Sequence, residues 1–264
     1  MTNILETLAD SARSRVAAAK ARLSLDALKE RVASTSNRLG DFAFERALQT
    51  DDVAFICECK KASPSKGLIS PEFPYLEIAR EYAASGAECV SVLTEPTQFL
   101  GSNDYLAEIA RAIDVPCLRK DFVVDEYMIY NAKALGASAV LLICSILDDA
   151  QLGAWLELCD ELGLSALVEA HDAREIARAM AHGARVIGVN NRNLKDFTVD
   201  FDASRRLRDL VGDRALFVAE SGLKTASDVD ALRAMRADAA LVGETLMRSS
   251  DVRATLAALR GRRG

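Results

Sequence analysis

Several short apolar runs in this sequence end in charged side chains, although buried strands normally avoid charge. The first run, VAFICECK, places Glu58 and Lys60 two residues apart and therefore on the same face of a strand. Later runs end at Lys120, Glu169 and Glu220. Ammonium groups beside carboxylates perturb each other's proton affinity and can supply a general acid and a general base in one cleft. These side chains are therefore the first candidates for catalysis.

The candidate residues belong to a repeated pattern of helix, glycine and apolar strand. Helical stretches end at Gly86, Gly136, Gly163 and Gly183, and a short apolar run follows each glycine almost at once. A glycine just past a helix can adopt the left-handed conformation that closes the last helical turn. The pattern predicts eight strands, at residues 53–60, 89–94, 116–120, 138–143, 164–169, 185–190, 215–220 and 238–242.

The alternation of strands and helices predicts the fold class. Strands that are apolar on both faces and alternate with helices indicate a parallel sheet covered by helices. Eight such units favour a closed (β/α)8 TIM barrel, an α/β fold, over an open doubly wound sheet. The first helix also lacks the GxGxxG motif of dinucleotide-binding folds. TIM barrels place their active sites at the carboxyl ends of the strands. We therefore expect the strand-end charges to share one cavity with Asn190 and Arg192, which follow the sixth strand.

The first 50 residues lie outside this repeat. Residues 3–33 have the pattern of one or two amphipathic helices, and residues 41–48 that of another. So short a segment without a strand pattern is too small for an independent core. We expect residues 1–264 to form a single barrel domain, with residues 1–50 as a helical extension packed on it. The sequence leaves open whether the extension plugs the bottom or side of the barrel or covers its mouth.

Two glycine-containing turns predict a phosphate site. The seventh strand runs into Ser221 and Gly222, and the eighth runs into Gly243. TIM barrels frequently bind phosphate at the loops after these two strands, through backbone N–H groups that a glycine allows to approach closely. The alternative is that the glycines serve only tight turns. The loop at 60–67, KKASPSKG, adds hydroxyl groups and positive charge at the same end of the barrel.

Composition excludes several classes of protein. Half of the 264 residues are hydrophobic, so a disordered or disulfide-dependent chain is excluded. The net charge of -6 offers no basic surface for nucleic acid, and the longest uncharged stretch, 134–147, is too short to span a membrane. Charges between residues 6 and 15 interrupt any signal peptide. Six cysteines without CxxC spacing and two histidines predict no metal site, so we expect buried, reduced thiols and a cytoplasmic protein.

These motifs resemble those of a known family. Residues 58–65, ECKKASPS, match the E-x-K-x-x-S-P-S signature of indole-3-glycerol phosphate synthases. The resemblance covers nearly the whole chain, including the helical extension that this family carries ahead of its barrel. The first-strand and sixth-strand motifs are highly specific, whereas AESG and VGE also occur in other phosphate-binding barrels. The remaining motifs are LTE at 93–95, FLGS at 99–102, RKDF at 119–122, LVE at 167–169, GVNNRNL at 188–194, AESG at 219–222 and VGE at 242–244.

The resemblance implies a reaction in tryptophan biosynthesis. The substrate 1-(2-carboxyphenylamino)-1-deoxyribulose 5-phosphate would close to indole-3-glycerol phosphate, with loss of carbon dioxide and water, without a cofactor. Lys120 would be the general acid and Glu169 the base, with Lys60 as a second acid and Glu58 orienting a lysine. The resemblance assigns substrate contacts to Asn190, Arg192, Glu220, Ser63, Phe99 and Phe122, and phosphate contacts to Ser221, Gly222, Gly243 and Glu244.

Two residues depart from the family pattern, and other partners remain open. Some members have serine at the position of Glu244, where a carboxylate would repel phosphate unless it points away. Arg119 replaces a more usual apolar residue, which could alter the rim of the site.

The implied partner is a small phosphorylated substrate, and other tryptophan-pathway enzymes are possible partners. No nucleic-acid or membrane partner is expected.

Three rival functions are compatible with a charged barrel mouth. One is a Schiff-base aldolase that acts on a phosphorylated sugar, because inward lysines also support that chemistry. Another is phosphoribosylanthranilate isomerase, a related barrel whose reaction is usually served by a cysteine and an aspartate. The third is a phosphate-binding barrel without activity, which predicts a decayed catalytic set. The complete set of charged positions favours the synthase.

Overall fold

The computed structural model describes residues 4–192 and 202–261. Eight parallel strands form a closed barrel in which each strand pairs with the next along the chain and the last pairs with the first. The predicted TIM barrel is confirmed, and each predicted strand end lies within one residue of the observed end. The strands are β1 (Ala54–Cys59), β2 (Cys89–Leu93), β3 (Cys117–Lys120), β4 (Ala139–Ile143), β5 (Ser165–Ala170), β6 (Val186–Asn190), β7 (Leu216–Glu220) and β8 (Ala239–Val242).

Helices follow the strands and cover the outside of the barrel, so the strands are buried on both faces. Within the described ranges, every helix is too short or too polar to cross a membrane. Two 3-10 turns, Cys144–Ile146 and Gly212–Arg214, follow β4 and precede β7. The helices are α4 (Tyr75–Ala84), α5 (Asn103–Ala112), α6 (Glu126–Ala134), α7 (Asp149–Glu161), α8 (Ala173–Ala181), α9 (Asp202–Val211), α10 (Ala226–Ala234), α11 (Glu244–Met247) and α12 (Val252–Leu259).

The glycines after the helices adopt the predicted left-handed conformation. Gly86, Gly136 and Gly183 have φ angles of 90°, 87° and 81°. After α10 the equivalent position is Arg236, which has a φ of 56°. An L-residue with a side chain is strained in this region by about 1–2 kcal/mol. The repeat is therefore conserved in backbone geometry even where its glycine is missing.

Three helices form the N-terminal extension: α1 (Ile4–Arg22), α2 (Leu25–Ala33) and α3 (Ala43–Leu48). The short helix α3 closes the amino end of the barrel. Phe44 and Leu48 are fully buried, and the backbone N–H of Glu45 donates a hydrogen bond of 3.2 Å to Ser165 Oγ at the start of β5. The extension therefore plugs the bottom of the barrel with its last helix.

The first helix lies at the opposite end, beside the carboxyl ends of the strands. Arg15 donates two hydrogen bonds, of 2.8 and 3.0 Å, to the carboxylate of Asp121, which follows β3. Asp121 is buried and also accepts a hydrogen bond of 2.7 Å from Thr94. Burial raises the pKa of Asp121, but Arg15 and Arg119 outweigh that effect and hold it below its usual range. A bidentate arginine–carboxylate pair of this kind fixes orientation.

Candidate active site

The carboxyl ends of the barrel strands surround a cavity of about 650 Å³. Each strand-end charge singled out in the sequence lines this cavity, because the carboxyl ends of the parallel strands meet at one mouth of the barrel. The loops after β1, β2, β7 and β8 complete the wall. The structure thus brings the whole predicted set together: Glu58, Lys60, Ser63, Phe99, Lys120, Phe122, Glu169, Asn190, Arg192, Glu220, Ser221, Gly222, Gly243 and Glu244.

Lys120 lies between two buried carboxylates at the centre of the cavity. Its Nζ is 2.8 Å from Glu220 Oε2 and 3.4 Å from Glu169 Oε2. Burial disfavours the ammonium, but the two carboxylates outweigh it and raise the pKa of Lys120 above its ordinary value. Lys120 is therefore a charged proton donor at neutral pH.

The two carboxylates beside Lys120 titrate differently. Burial raises the pKa of Glu169, but Lys120 and His171 outweigh it, and the net effect is a lowered pKa. Burial also raises the pKa of Glu220. Lys120 opposes this shift, but the nearby charges of Glu169 and Glu58 add to burial, so the pKa rises to about 7. Carboxyl groups whose pKa values are pushed apart can take opposite roles in proton transfer.

A second pair of a lysine and a carboxylate lies on the β1 side of the cavity. Lys60 Nζ is 2.5 Å from Glu58 Oε1. A Cβ at Gly243 would lie 2.5 Å from that same oxygen and 3.1 Å from Lys60 Nζ. The glycine after β8 therefore makes room for the Glu58–Lys60 pair, a packing reason that is separate from any contact with phosphate.

The end of β6 places the side-chain amide of Asn190 between Glu169 and the loop after β7. Asn190 Oδ1 accepts hydrogen bonds of 3.0 Å from Ser221 Oγ and from the backbone N–H of Arg192. Its Nδ2 therefore points the other way, to a position 3.5 Å from Glu169 Oε2. This arrangement fixes the orientation of the Asn190 side chain at the mouth of the barrel.

The carboxylate of Glu244 is neutralised by cations around it. Its oxygens lie 3.2 Å from Lys66 Nζ, 3.4 Å from Arg248 Nε and 3.9 Å from Arg192 Nη2. Burial raises its pKa, but these cations outweigh burial and lower it. The repulsion of phosphate considered from the sequence is therefore offset locally. Nearby Ser221 also has a positive φ, of 67°.

Two phenylalanines form an apolar part of the wall. The ring centroids of Phe99 and Phe122 are 6.3 Å apart, and their planes meet at 40°. Phe99 is held by Glu95, whose buried carboxylate accepts a backbone N–H from Phe99 at 3.0 Å and from Gln98 at 2.7 Å. A carboxylate that accepts several backbone N–H groups rigidifies its loop. The backbone that carries the Phe99 ring is thus held in place.

Sequence reasoning did not identify several residues of the wall. Ile4 and Leu8 of α1 line the cavity, which an amphipathic pattern predicts only as burial. Lys224 and Arg248 also line it. The spacing of Arg248 four residues after Glu244 on a helix was an available signal.

The expectation for Arg119 was wrong. The sequence suggested that this side chain could alter the rim of the site, but it is 2% exposed and lies outside the barrel wall. Its guanidinium donates 2.9 Å hydrogen bonds to Met128 O and Asn131 Oδ1 on α6. The physical reason is alternation: if Lys120 points into the barrel, its neighbour on the strand points out.

Comparisons with known proteins agree with the geometry. A family model described as indole-3-glycerol phosphate synthase matches residues 5–259. The indole-3-glycerol phosphate synthase of Ruminiclostridium cellulolyticum is 51% identical over 258 residues, which cover 98% of this chain and 99% of that protein. The one from Lacticaseibacillus paracasei is 49% identical over 260 residues, with coverage of 98% and 99%.

Solved structures share the fold at low identity. A 3-hexulose-6-phosphate synthase superposes with a TM-score of 0.64 at 15% identity, covering 79% of this chain and 99% of its own. Phosphoribosylanthranilate isomerase from Thermotoga maritima gives 0.56 at 17% identity, with the same coverage. These likenesses show the barrel alone. Taken with the family match and the relatives near 50% identity, they leave a plain conclusion: this chain belongs to the indole-3-glycerol phosphate synthase family.

Proposed function

We propose that this chain is a carboxy-lyase that converts 1-(2-carboxyphenylamino)-1-deoxyribulose 5-phosphate into indole-3-glycerol phosphate, carbon dioxide and water. The observation that carries the assignment to these residues is the Lys120 ammonium, held between Glu169 and Glu220 in the cavity. A proton donor and a proton acceptor in contact suit a reaction that begins with protonation of a ketone and ends with loss of a proton.

The phosphate of the substrate lies, in this proposal, at the β7 and β8 loops. Gly222 and Gly243 line the cavity there with Ser221, and backbone N–H groups in such turns bind small anions. Lys66 and Arg248 supply positive charge that Glu244 balances in part. Such a site binds phosphate by local charge, although the chain as a whole is acidic.

The aromatic ring of the substrate lies between the phenylalanines and the β1 loop. Phe99 and Phe122 supply apolar surface and exclude water, which strengthens the electrostatic interactions inside the cavity. The carboxylate of the ring needs a cation, for which Lys60 or Arg192 is in reach of the cavity, and Ser63 adds a hydroxyl. Glu58 holds Lys60 in position at 2.5 Å.

Ring closure then proceeds by acid catalysis. Lys120 protonates the ketone oxygen as the ring carbon that carries the carboxylate attacks the carbonyl carbon. Loss of carbon dioxide restores the aromatic ring, and the new hydroxyl leaves as water with a proton from Lys60. Glu169 removes the last proton, which forms the indole double bond. Glu220 and Asn190 position the substrate, because Glu220 Oε2 lies 2.8 Å from Lys120 Nζ and Asn190 Nδ2 lies 3.5 Å from Glu169 Oε2 at the same cavity.

The test is to mix the purified protein with the carboxyphenylamino substrate and to follow indole fluorescence and carbon dioxide release. Lys120→Met should lower turnover by at least about 100-fold, because it removes the general acid, while an unreactive substrate analogue still binds. A wild-type protein that forms no indole product would refute the function. Normal turnover by Lys120→Met would refute the assignment of the acid.

Borohydride separates the proposal from a Schiff-base aldolase. Acid-catalysed ring closure leaves no covalent bond between lysine and substrate, so reduction in the presence of substrate should leave the mass of the protein unchanged. An adduct on Lys60 or Lys120 would overturn the mechanism in favour of the aldolase.

The organisation and setting of the chain complete the proposal. We place residues 1–50 in the same domain as the barrel, because α3 plugs one end of it and α1 contacts the other. All six cysteines are buried and unpaired, as in a reducing compartment, which supports a cytoplasmic location. We also propose other tryptophan-pathway enzymes as partners. Fractionation and co-purification from the native cell test both statements.

A further inference from the structure

A histidine outside the predicted site lies against the proposed base. His171 follows β5 directly, and its Nε2 is 3.3 Å from Glu169 Oε1. Its Nδ1 is 3.3 Å from Oε2 of Glu175 on α8, and that same oxygen accepts the backbone N–H of His171 at 2.7 Å. The ring is therefore held by Glu175 from one side and directed at Glu169 on the other.

The Nε2 atom of His171 is buried and has no well-aligned hydrogen bond within the described ranges. It faces the carboxylate of Glu169, whose Oε1 lies at an ion-pairing distance of 3.3 Å. A buried polar nitrogen without a partner is costly, so the contact with Glu169 is the interaction that compensates for its burial.

The two oxygens of Glu169 have different neighbours. Oε1 faces His171, whereas Oε2 lies 3.4 Å from Lys120 Nζ and 3.5 Å from Asn190 Nδ2. Contacts with two different partners oppose rotation of the carboxylate about its last bond. Oε2 is therefore the oxygen on the side of Lys120, where the proposed proton transfers take place.

A neutral imidazole cannot satisfy both of its carboxylate neighbours. It carries one N–H, so a lone pair would face either Glu169 or Glu175, whereas the imidazolium presents an N–H to each. Burial lowers the pKa of His171, but the two carboxylates outweigh it and raise the pKa to about 10. The ring is therefore a cation at neutral pH.

Other titratable groups lie on the elements around this pair. The strands β1, β3 and β7 supply charges across the cavity, and the turn after β4 supplies a thiol against α8. Arg178 on α8 donates to the backbone of that turn at 3.1 Å. The groups are Glu58 and Lys60 on or after β1, Lys120 on β3, Glu220 on β7, Cys144 in the turn, and Glu175 and Arg178 on α8.

We infer that His171 is a positioning residue: its imidazolium anchors Oε1 of Glu169 and keeps that carboxylate ionised, so that Oε2 receives the proton lost in the last step. Glu175 acts through His171 by orienting the ring. This inference rests on the proposed function, in which Glu169 is the base.

The experiment compares pH–rate profiles of wild type, His171→Ala and His171→Gln. His171→Ala should move the acid limb of kcat upward by about one pH unit, because an adjacent cation lowers a carboxyl pKa by about one unit or more. It should also lower kcat about 10-fold near neutral pH, because Oε1 of Glu169 loses its anchor and the carboxylate is no longer held in position. KM should change less than about 3-fold, because His171 does not contact the substrate. His171→Gln retains an N–H donor without charge, so it should restore part of kcat but not the acid limb. His182→Ala removes the other histidine of the chain and is the matched control.

A second measurement does not depend on turnover. With two histidines in the chain, histidine-selective NMR can follow the His171 ring directly. The ring should remain an imidazolium through pH 8 in wild type and should titrate at least about one unit lower in Glu169→Gln. An inactive wild type would refute the proposed function, and the NMR titration would still decide whether His171 is a cation paired with Glu169. An unchanged acid limb in an active, folded His171→Ala, or a His171 that titrates at its ordinary pKa in wild type, would overturn the inference.

Discussion

Replacing Glu220 with glutamine should make the protein more stable than wild type at neutral and alkaline pH. Glu220 is 1% exposed, and burial with the charges of Glu169 and Glu58 raises its pKa to about 7, against the opposing effect of Lys120. Glutamine has the shape of the protonated carboxyl, and its oxygen can still accept a hydrogen bond from Lys120. The variant therefore keeps the packing and removes the cost of ionising this group.

The size and sign of the effect follow from proton linkage. Between the ordinary carboxyl pKa of 4.5 and the folded value of about 7, the native state binds a proton that the unfolded chain has released. The contribution of Glu220 to the free energy of unfolding therefore falls as pH rises through this window. At 1.36 kcal/mol per pKa unit the fall is about 3 kcal/mol when complete. Glu169 has the opposite shift, but its effect lies at lower pH and is present in both proteins.

The assay is urea unfolding of both proteins at intervals from about pH 5 to about pH 8, analysed as the difference between them. The free energy of unfolding of Glu220→Gln minus that of wild type should rise with pH by about 1–3 kcal/mol and level off above pH 7. Glu77→Gln, on the exposed side of α4, is the matched control and should give a flat difference. A flat difference for Glu220→Gln as well would show that burial does not perturb this carboxyl, and the electrostatic account of the site would be wrong. Activity should fall in the same variant, because Glu220 contacts Lys120.

Three further substitutions test the site and the fold. Glu169→Gln should lower turnover about 100-fold or more at the late dehydration, measured by indole fluorescence, and unchanged turnover would indicate another base. A Cβ at Gly188 would overlap Glu220 Oε1 and approach Leu167 Cδ1 to 3.1 Å, so Gly188→Ala should cost about 1–3 kcal/mol in urea unfolding and lower kcat/KM; a silent variant would contradict the packing. Arg236→Gly should raise the free energy of unfolding by about 0.5 kcal/mol, since relief of left-handed strain exceeds the entropy cost of glycine. A loss of stability there would show that Arg236 contributes through its side chain.

The barrel and most of its cavity could be predicted from local patterns. Each strand is marked by its own run of apolar residues, and four of the eight also by the glycine just before them, so the strand ends lie within one residue of the prediction. Glu58 and Lys60 were predictable as neighbours because side chains two apart on a strand share a face. Closure of the barrel then brings the ends of separate strands to one mouth, which places Lys120 against Glu169 and Glu220.

Contacts between distant segments were not predictable in the same way. The amphipathic pattern of α1 shows that one face is buried but not which surface covers it, so Ile4 and Leu8 could not be placed at the cavity. The charge balance at Glu244 depends on side chains from three separate segments. The burial of Arg119 outside the barrel could be predicted only by knowing which residues of its strand point inward.

The order of strands and helices, the parallel barrel and the identity of the charged residues at its mouth are properties of the sequence, because each depends on residues close together along the chain. Which carboxylate is ionised, which oxygen of Glu169 faces Lys120 and how His171 is held between two acids are properties of the folded structure. These depend on distances of about 3 Å between separate segments and on the loss of water around them, and neither exists until the chain has packed.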